Sequence, residues 1–228
     1  INSAVLLVIM MSCVRWYKKH PLEDGAPKGG VGMIEATVLS IYNDVIKGCI
    51  GENYRRYAPY LLTAFFFVLV NNLMGLIPIF PGGANVTGNI AITLVLALCT
   101  FVLTNVYGTK AYWKEIFWPD VPTWLKAPIP MMPLIEFFGI FTKPFALMIR
   151  LFANIMAGHA AVLSLVAIIF ITVKSGPVIN GSMTVVSVAF SIFMDALEIL
   201  VAFIQAYVFT MLSAVFIGLS QVKEHAEK

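Results

Sequence analysis

The residue in this sequence that most needs a chemical explanation is Arg150, which stands near the middle of an apolar run at residues 133–172. A guanidinium keeps its charge at physiological pH, and placing one deep in a membrane costs at least ~2.5–3.5 kcal/mol. Such an arginine faces protein or water rather than lipid, and intramembrane charges usually line a pathway. We therefore expect Arg150 to have a charged partner or to line an ion pathway.

Other polar residues of this run fall near one stripe of a helix with Arg150. Glu136, Lys143 and Arg150 follow in steps of seven, which drift by only ~20° each, and Asn154 follows one turn later. His159 lies nine residues beyond Arg150, which is ~13 Å along the helix and half a turn around it. The run thus predicts polar groups on both sides of Arg150 along the helix axis.

The last apolar run carries three more polar side chains, spaced in steps of three and seven: Asp195, Glu198 and Gln205. If the two runs pair antiparallel, the first two of these residues meet His159 on one side of Arg150, and Glu136 lies on the other side. A carboxylate beside an imidazole forms a coupled titrating pair. The pairing of the two runs thus predicts a cluster of His159, Asp195 and Glu198 on one side of Arg150.

Each of these residues also has a purely structural interpretation. Arg150 could form an ion pair with Glu198 or Asp195, and Glu198 could only join two helices. His159 could be a hydrogen-bonded core histidine. Two residues lie close enough to the expected membrane surface to reach water without any role in transport: Glu136 and Lys143. Three asparagines are interpreted as interhelical hydrogen-bonding residues: Asn71, Asn72 and Asn105. Four small residues at steps of four and seven suit either ordinary packing or the close approach of another helix: Ala146, Ala153, Ala157 and Ala161.

The composition identifies the class of protein. Of the 228 residues, 60% are hydrophobic and 12% charged, and the mean hydropathy is +0.88. These values predict an all-α, polytopic membrane protein with no separate soluble domain. The net charge of +3 comes from scattered basic residues, which argues against a nucleic-acid partner. The chain begins inside an apolar run and without Met, so we expect an N-terminal part to precede Ile1.

The apolar pattern predicts one membrane domain, residues 1–228, with about five membrane helices and one interfacial amphipathic helix. The first membrane helix ends within 1–14, the amphipathic helix covers 33–56, two spanning segments cover 57–79 and 90–107, and two long helices cover 133–172 and 183–220. A helix of 40 residues is ~60 Å long, twice the ~30 Å of a hydrocarbon core. We therefore expect the last two helices to form a tilted antiparallel hairpin, with a kink near Gly139 or Pro144 as an alternative to tilt.

The basic residues predict the orientation. The loop of Lys174 has a single basic residue, whereas twelve lie on the opposite side of this layout: Arg15, Lys18, Lys19, Lys28, Lys47, Arg55, Arg56, Lys110, Lys114, Lys126, Lys223 and Lys228. Basic loops remain on the cytoplasmic or matrix side of a membrane. The C-terminus is therefore predicted to lie inside.

Three stretches resemble one known family. They are RLFANIMAGH at 150–159 with Lys143-Pro144 before it, EILVAFIQAYVFT at 198–210, and NNLMGLIP at 71–78. In this order they are similar to the a subunit of the F-type ATP synthase, over nearly the whole chain. The resemblance implies that Arg150 is the essential stator arginine, with Asn154 and Gln205 as its neighbours. It also implies that His159 and Glu198 line the path by which protons are taken up.

The same resemblance implies the partners and the reaction. The partners would be a ring of carboxylate-bearing c subunits, subunit b or a peripheral stalk, other ATP synthase subunits and membrane lipid. Proton translocation would be coupled to ATP synthesis on other chains. No cofactor or metal is expected, and no GxxxxGK[ST] stretch for a nucleotide occurs. We expect a bacterial plasma membrane rather than a mitochondrial inner membrane, from the polar charged tail and the basic inner loops.

This sequence departs from the family pattern at two places. Many bacterial members have a Glu where His159 stands and a His where Glu198 stands, so the two groups are exchanged here. The exchange keeps one acid and one imidazole. Ala146 replaces a small hydroxyl residue that is common in the family, which weakens any assignment of the discharge path.

Two other classes of protein are alternatives to this family. A secondary transporter or an ion channel could use an intramembrane Arg as its substrate anchor, but a transporter would be expected to carry an internal repeat with paired broken helices, and the sequence has none. An intramembrane metalloprotease would need an HExxH-like pair, and His159 is followed by two alanines.

The predicted orientation can be tested by cysteine labelling in a variant that lacks Cys13, Cys49 and Cys99. Single cysteines at 82–86 and at residue 176 should react with a membrane-impermeant maleimide added outside. Cysteines at 110–126 and in the C-terminal tail should be protected until the membrane is permeabilised. Labelling of the tail from outside would contradict the orientation.

Overall fold

The computed structural model describes residues 2–19, 29–76, 88–117, 131–173 and 177–221. Nearly all of these residues are helical and none of them is in a strand, which confirms the all-α class. The α-helices are α1 Asn2–Lys19, α2 Gly30–Ser40, α3 Gly48–Ile50, α4 Tyr54–Leu76, α5 Ile90–Val106, α6 Lys110–Phe117, α7 Met131–Thr172 and α8 Pro177–Ser220.

Among the described residues, three helical stretches are long and apolar enough to cross a membrane: Gly30–Leu76, Pro133–Thr172 and Ile179–Ser220. A shorter apolar helix covers Ile90–Val106. These stretches confirm a membrane protein, because α5, α7 and α8 expose many large apolar side chains that only lipid or another membrane subunit can cover. The predicted outer loops at 82–86 and near residue 176 lie outside the described residues, and the same holds for most of the C-terminal tail.

The segment predicted as one amphipathic helix at 33–56 is continuous helix in three different windings. A π-helical turn, Ile41–Lys47, joins α2 to α3, and a 3-10 turn, Gly51–Asn53, leads into α4. Gly51 has a φ of 74°, a left-handed conformation that glycine adopts without steric cost. Ile41, Val45 and Ile46 are buried in the core while Asn43, Asp44 and Lys47 are exposed. The segment is thus amphipathic, and its position on the membrane surface stays a prediction.

The main core lies where α4 meets α5 and α8. Large apolar side chains such as Leu61, Phe65 and Phe209 are fully buried there. Buried hydroxyl groups also join the three helices, because the Tyr60 hydroxyl lies 2.8 Å from Thr100 Oγ1, which lies 3.3 Å from Ser213 Oγ. A membrane interior supplies no water to these groups, so each must find its partner in a neighbouring helix.

The end of the molecule that carries Arg56 and Lys110 is here called the basic end. The C-terminal end of α8 is held there by two hydrogen bonds to the residues between α5 and α6, and the start of α4 contacts the same residues. Thr109 N donates to the Ser220 carbonyl at 2.9 Å, and Gln221 Nε2 donates to the Tyr107 carbonyl at 2.6 Å. The Arg56 guanidinium lies 4.3 Å from the centre of the Tyr107 ring. These contacts tie the starts of α4 and α6 to the end of α8.

The last two helices form the predicted antiparallel hairpin. Gly158 of α7 is beside Glu198 of α8, while Lys143, earlier in α7, lies beside Phe216, later in α8. Helix α7 runs without interruption through both Gly139 and Pro144, where a kink was the alternative to tilt. Helix α8 begins at Pro177, earlier than residue 183, and proline is well suited to the first turn of a helix.

Gly218 of α8 is in contact with the backbone of another helix. A Cβ added at Gly218 would overlap the Cys49 carbonyl oxygen and lie 3.0 Å from the Cys49 carbonyl carbon. A Cβ at Gly139 of α7, by contrast, would meet nothing within 4 Å. Both glycines are in helices, so they differ in what lies next to them and not in local conformation.

We expect Gly218→Ala to destabilise the protein by about 1–3 kcal/mol, because the Cys49 backbone has to move. The matched control, Gly139→Ala, should be neutral or stabilising by up to ~1 kcal/mol, because alanine favours helix. Thermal unfolding of the purified protein in one detergent compares the two. Equal midpoints for both variants would contradict the close approach.

Candidate functional site

A cavity of about 260 Å³ lies between α4, α7 and α8. Its wall is mostly apolar, but four polar side chains face it: Asn72, Asn154, His159 and Glu198. A cavity of this size has room for several water molecules, and polar partners are what hold water in a protein interior. The structure therefore brings together three of the predicted site residues with Asn72, which the sequence had suggested only as an interhelical hydrogen-bonding residue.

His159 and Glu198 stand on the two long helices and face this common cavity. Glu198 Oε1 is buried and has no hydrogen-bond partner among the described residues. A buried carboxyl oxygen without a partner is costly unless water or a proton satisfies it. An acid and an imidazole that line one cavity are groups that can bind and release protons there.

Gly158 is what lets Glu198 reach this position. A Cβ at Gly158 would overlap Glu198 Oε1 and lie 2.9 Å from its carboxyl carbon. The carboxyl group therefore lies directly against the α7 backbone, one residue before His159. Sequence reasoning missed Gly158, although a glycine next to a polar residue within a membrane helix is a sign of close approach.

Asn72, which the sequence suggested as an interhelical hydrogen-bonding residue, also lines the cavity. The amide of its neighbour Asn71 donates to the carbonyl of Phe67 in its own helix at 2.7 Å. Adjacent side chains of a helix point about 100° apart, so Asn71 and Asn72 lie on different faces of α4. Which of them faces α7 depends on the rotation of α4.

Arg150 is exposed and does not line the cavity. Among the described residues no acidic side chain lies within ion-pair distance of its guanidinium, so the pairing with Glu198 or Asp195 does not occur in this chain. Asn154, one helical turn along, does face the cavity. Arg150 is thus next to the cavity, on the outside of the helix pair.

The remaining predicted residues are dispersed. Asp195 is exposed and absent from the cavity wall, so the predicted cluster consists of His159 and Glu198 alone. Gln205 is buried, and its Nε2 has no partner within the described part of the chain. Glu136 is half-buried and lies near α6. Burial of the Tyr112 phenol in α6 and the negative charge of Glu136 both raise the pKa of Tyr112. Glu136 lies toward the basic end and His159 lies on the other side of Arg150.

A comparison with known proteins matches the model of one family, described as ATP synthase A chain, to residues 1–218. The chain belongs to this family. It is similar to the ATP synthase subunit a of Chlorobium phaeobacteroides (strain DSM 266), with 49% identity over 99% of this chain and 64% of the relative. The protein of that name from Chloroherpeton thalassium is 45% identical over 98% of this chain and 65% of its own length.

A more distant relative is the ATP synthase subunit a of Myxococcus xanthus, with 43% identity over 96% of this chain and 70% of that protein. The chain spans somewhat less than two thirds of the length of the relatives from Chlorobium phaeobacteroides and Chloroherpeton thalassium. The resemblance drawn from the three sequence stretches is confirmed at the level of the family.

In this member of the family, the face of α7 around Arg150 is exposed and made of small residues. Ala146, Ala153 and Ala157 are all exposed and lie one turn or two turns from Arg150. Small residues let another helix approach a backbone closely. Within the described residues no group of three or more His, Cys, Asp or Glu side chains is arranged to hold a metal ion.

The contact between Gly158 and Glu198 leads to a prediction with a change of sign. Gly158→Ala should destabilise the protein by up to ~1 kcal/mol, because the new methyl group displaces the carboxyl, which is the end of a flexible side chain. In a Glu198→Ala background the same change should stabilise by up to ~1 kcal/mol, because only the helix preference of alanine remains. Thermal unfolding of the four proteins measures both effects. The same loss in both backgrounds would contradict the contact.

Proposed function

We propose that this chain is the stator subunit a of an F-type ATP synthase. In this proposal it forms two proton half-channels against a rotating ring of c subunits and couples proton translocation to ATP synthesis. The observation that carries the proposal is the position of Arg150, exposed on an alanine-rich face of α7 and next to a polar cavity that holds His159 and Glu198. The names of the relatives support the same assignment.

Arg150 needs a partner from another chain. An exposed guanidinium within a membrane helix would otherwise face lipid, which is costly. The alanines beside it allow a second helix to come close enough for a carboxylate to reach the guanidinium. A ring of helices that each carry one carboxyl group supplies such a partner in turn, one subunit after another.

The charge of Arg150 would control when the ring carboxyl holds a proton. A carboxyl group that faces lipid must be neutral, because its charged form is desolvated there. Beside a guanidinium the charged form is favoured, so the proton leaves. Because Arg150 cannot itself lose its proton, it also prevents protons from passing directly between the two half-channels.

The cavity would be the half-channel through which protons are taken up. His159 and Glu198 supply groups that bind and release protons, and Asn154 connects the cavity wall to the turn of α7 that carries Arg150. Discharge would occur on the opposite side of Arg150, toward Glu136 and the basic end. Gln205, buried in α8 with an unpaired amide nitrogen among the described residues, would help to position the charged pair.

The membrane potential would supply the driving force, because one elementary charge that crosses 100 mV contributes ~2.3 kcal/mol. The chain itself would catalyse no bond formation, and nucleotides would bind to other subunits. Subunit b or a peripheral stalk would hold the chain in place against the ring. The relatives come from bacteria, which supports a location in a bacterial plasma membrane.

The proposal is tested by changing Arg150 in the assembled complex. Arg150→Ala should abolish ATP-driven proton pumping and ATP synthesis, and a ring of small carboxylate-bearing subunits should still copurify. Arg150→Lys should also fail, because a compact ammonium can lose its proton when desolvated and lacks the planar fork. The measurement is acidification of sealed vesicles by the reconstituted complex.

The matched control is Arg55→Ala, which removes an exposed arginine at the basic end and should retain pumping. A Lys variant with near-normal coupled synthesis would rule out a barrier that depends on a group unable to deprotonate. Retention of pumping by Arg150→Ala would remove the proposed function itself.

A further inference from the structure

A second, much smaller cavity lies between α5, α7 and α8, toward the basic end of the molecule. Its volume is about 10 Å³, and the polar residues in its wall include Asn105 and Lys143. It shares no lining residue with the large cavity that contains His159 and Glu198. It therefore needs an explanation of its own.

Asn105 brings an unsatisfied acceptor to this cavity. Its Nδ2 donates to the Phe101 carbonyl of α5 at 2.8 Å, which fixes the orientation of the amide. Its Oδ1 is buried and has no hydrogen-bond partner in the part of the chain that the structure describes. A buried acceptor left in this state loses its water without gaining a replacement, and native structures rarely tolerate that loss.

Lys143 brings donors from the opposite wall. Its Nζ lies 5.7 Å from the centre of the Phe216 ring, near the limit of a favourable cation–π contact. An ammonium has three N–H groups. No hydrogen-bond acceptor for them is found among the described residues. The cavity thus lies between an acceptor without a donor and a cation without an acceptor.

Pro144 leaves a third polar group, the Ile140 carbonyl, without its helical donor. It follows Lys143 within α7 and has no N–H, so it cannot donate to the carbonyl of Ile140 one turn earlier. Both Ile140 and Pro144 are in the wall of the small cavity. The Ile140 carbonyl is therefore a second acceptor at this place.

We propose that this cavity holds one water molecule, which joins the Asn105 Oδ1 atom of α5 to the Lys143 ammonium of α7, with the Ile140 carbonyl as a further partner. A volume of ~10–15 Å³ is what one water needs, and a buried water typically has two to four polar partners. The ammonium donates to the water oxygen, and the two water hydrogens point to the two acceptors. The Asn105 Oδ1 atom, the Ile140 carbonyl and one N–H group of the Lys143 ammonium then each have a partner.

This water would fix α7 against α5 at the position where Pro144 removes a helical hydrogen bond. Lys143 is seven residues before Arg150, and a step of seven changes the direction of a side chain by only ~20°. A water molecule that fixes the Lys143 side chain therefore also fixes the direction in which the Arg150 side chain points. This consequence rests on the proposed function of Arg150, and it makes Asn105 and Lys143 positioning residues.

The experiment is a double-variant cycle in the complete reconstituted complex, with ATP-driven proton pumping as the measurement. Asn105→Leu and Lys143→Met should each lower pumping by about fivefold, a typical net effect of one lost hydrogen bond. The double variant should be no worse than the poorer single variant, because both remove the same bridge. Asn105→Asp should recover most of the activity, because a carboxylate accepts from the water or from Lys143 directly.

The matched control is Lys110→Met, which removes an exposed lysine at the same end and should leave pumping unchanged. If the Leu variant does not assemble, Asn105→Ala replaces it, with the same expectation. Additive losses in the double variant, or an Asp variant as poor as the Leu variant, would overturn the inference. Arg150→Ala in the same assay separates the two proposals, since its failure to abolish pumping would count against the proposed function.

Discussion

The structure depends on one constraint, which is that a membrane interior offers no water to a polar group. Most of the chain meets this constraint by pairing, as in the hydroxyl groups of Tyr60, Thr100 and Ser213 that join α4, α5 and α8. Arg150 does not meet it, because the guanidinium is exposed and the described residues offer it no acid. A charge that a single chain leaves unpaired in an apolar helix indicates an incomplete assembly rather than an unstable fold.

The polar groups of the long hairpin divide accordingly into two kinds. At the basic end, hydrogen bonds through Thr109 and Gln221 hold the end of α8 firmly. Around the middle of the hairpin, Glu198 and Gln205 keep buried atoms without partners among the described residues. Proteins that tolerate such atoms commonly do so at functional sites, where water or a substrate supplies the missing partner. The same helices can therefore provide a rigid support at one end and a hydrated cavity nearer the other.

The sequence was sufficient for the features that helical periodicity determines. The all-α class and the antiparallel pairing of the last two helices follow from apolar length and connection, and the approach of His159 to Glu198 follows from pairing the two stripes. Features that depend on the rotation of one helix against another were not predictable. Asn72 faces the cavity because of the rotation of α4, which is set by the packing of its whole apolar surface. The close approaches at Gly158 and Gly218 likewise depend on interhelical distances, and Asp195 turned out to be exposed.

Arg150 and the His159–Glu198 pair differ in whether they can exchange a proton. In the proposed function, coupling by rotation would need one group that never exchanges its proton and others that exchange readily, and the two kinds would have to be adjacent without being in contact. The geometry of α7 is compatible with this arrangement. His159 and Asn154 turn inward to the cavity, while Arg150 is on the exposed face of α7, and the three are within three turns of each other. A partner carboxylate could then meet the fixed charge outside and exchange protons with the cavity only after it moves past that charge. The direction of movement would be decided by which side of Arg150 has the higher electrochemical potential of protons, and not by any asymmetry in the guanidinium itself.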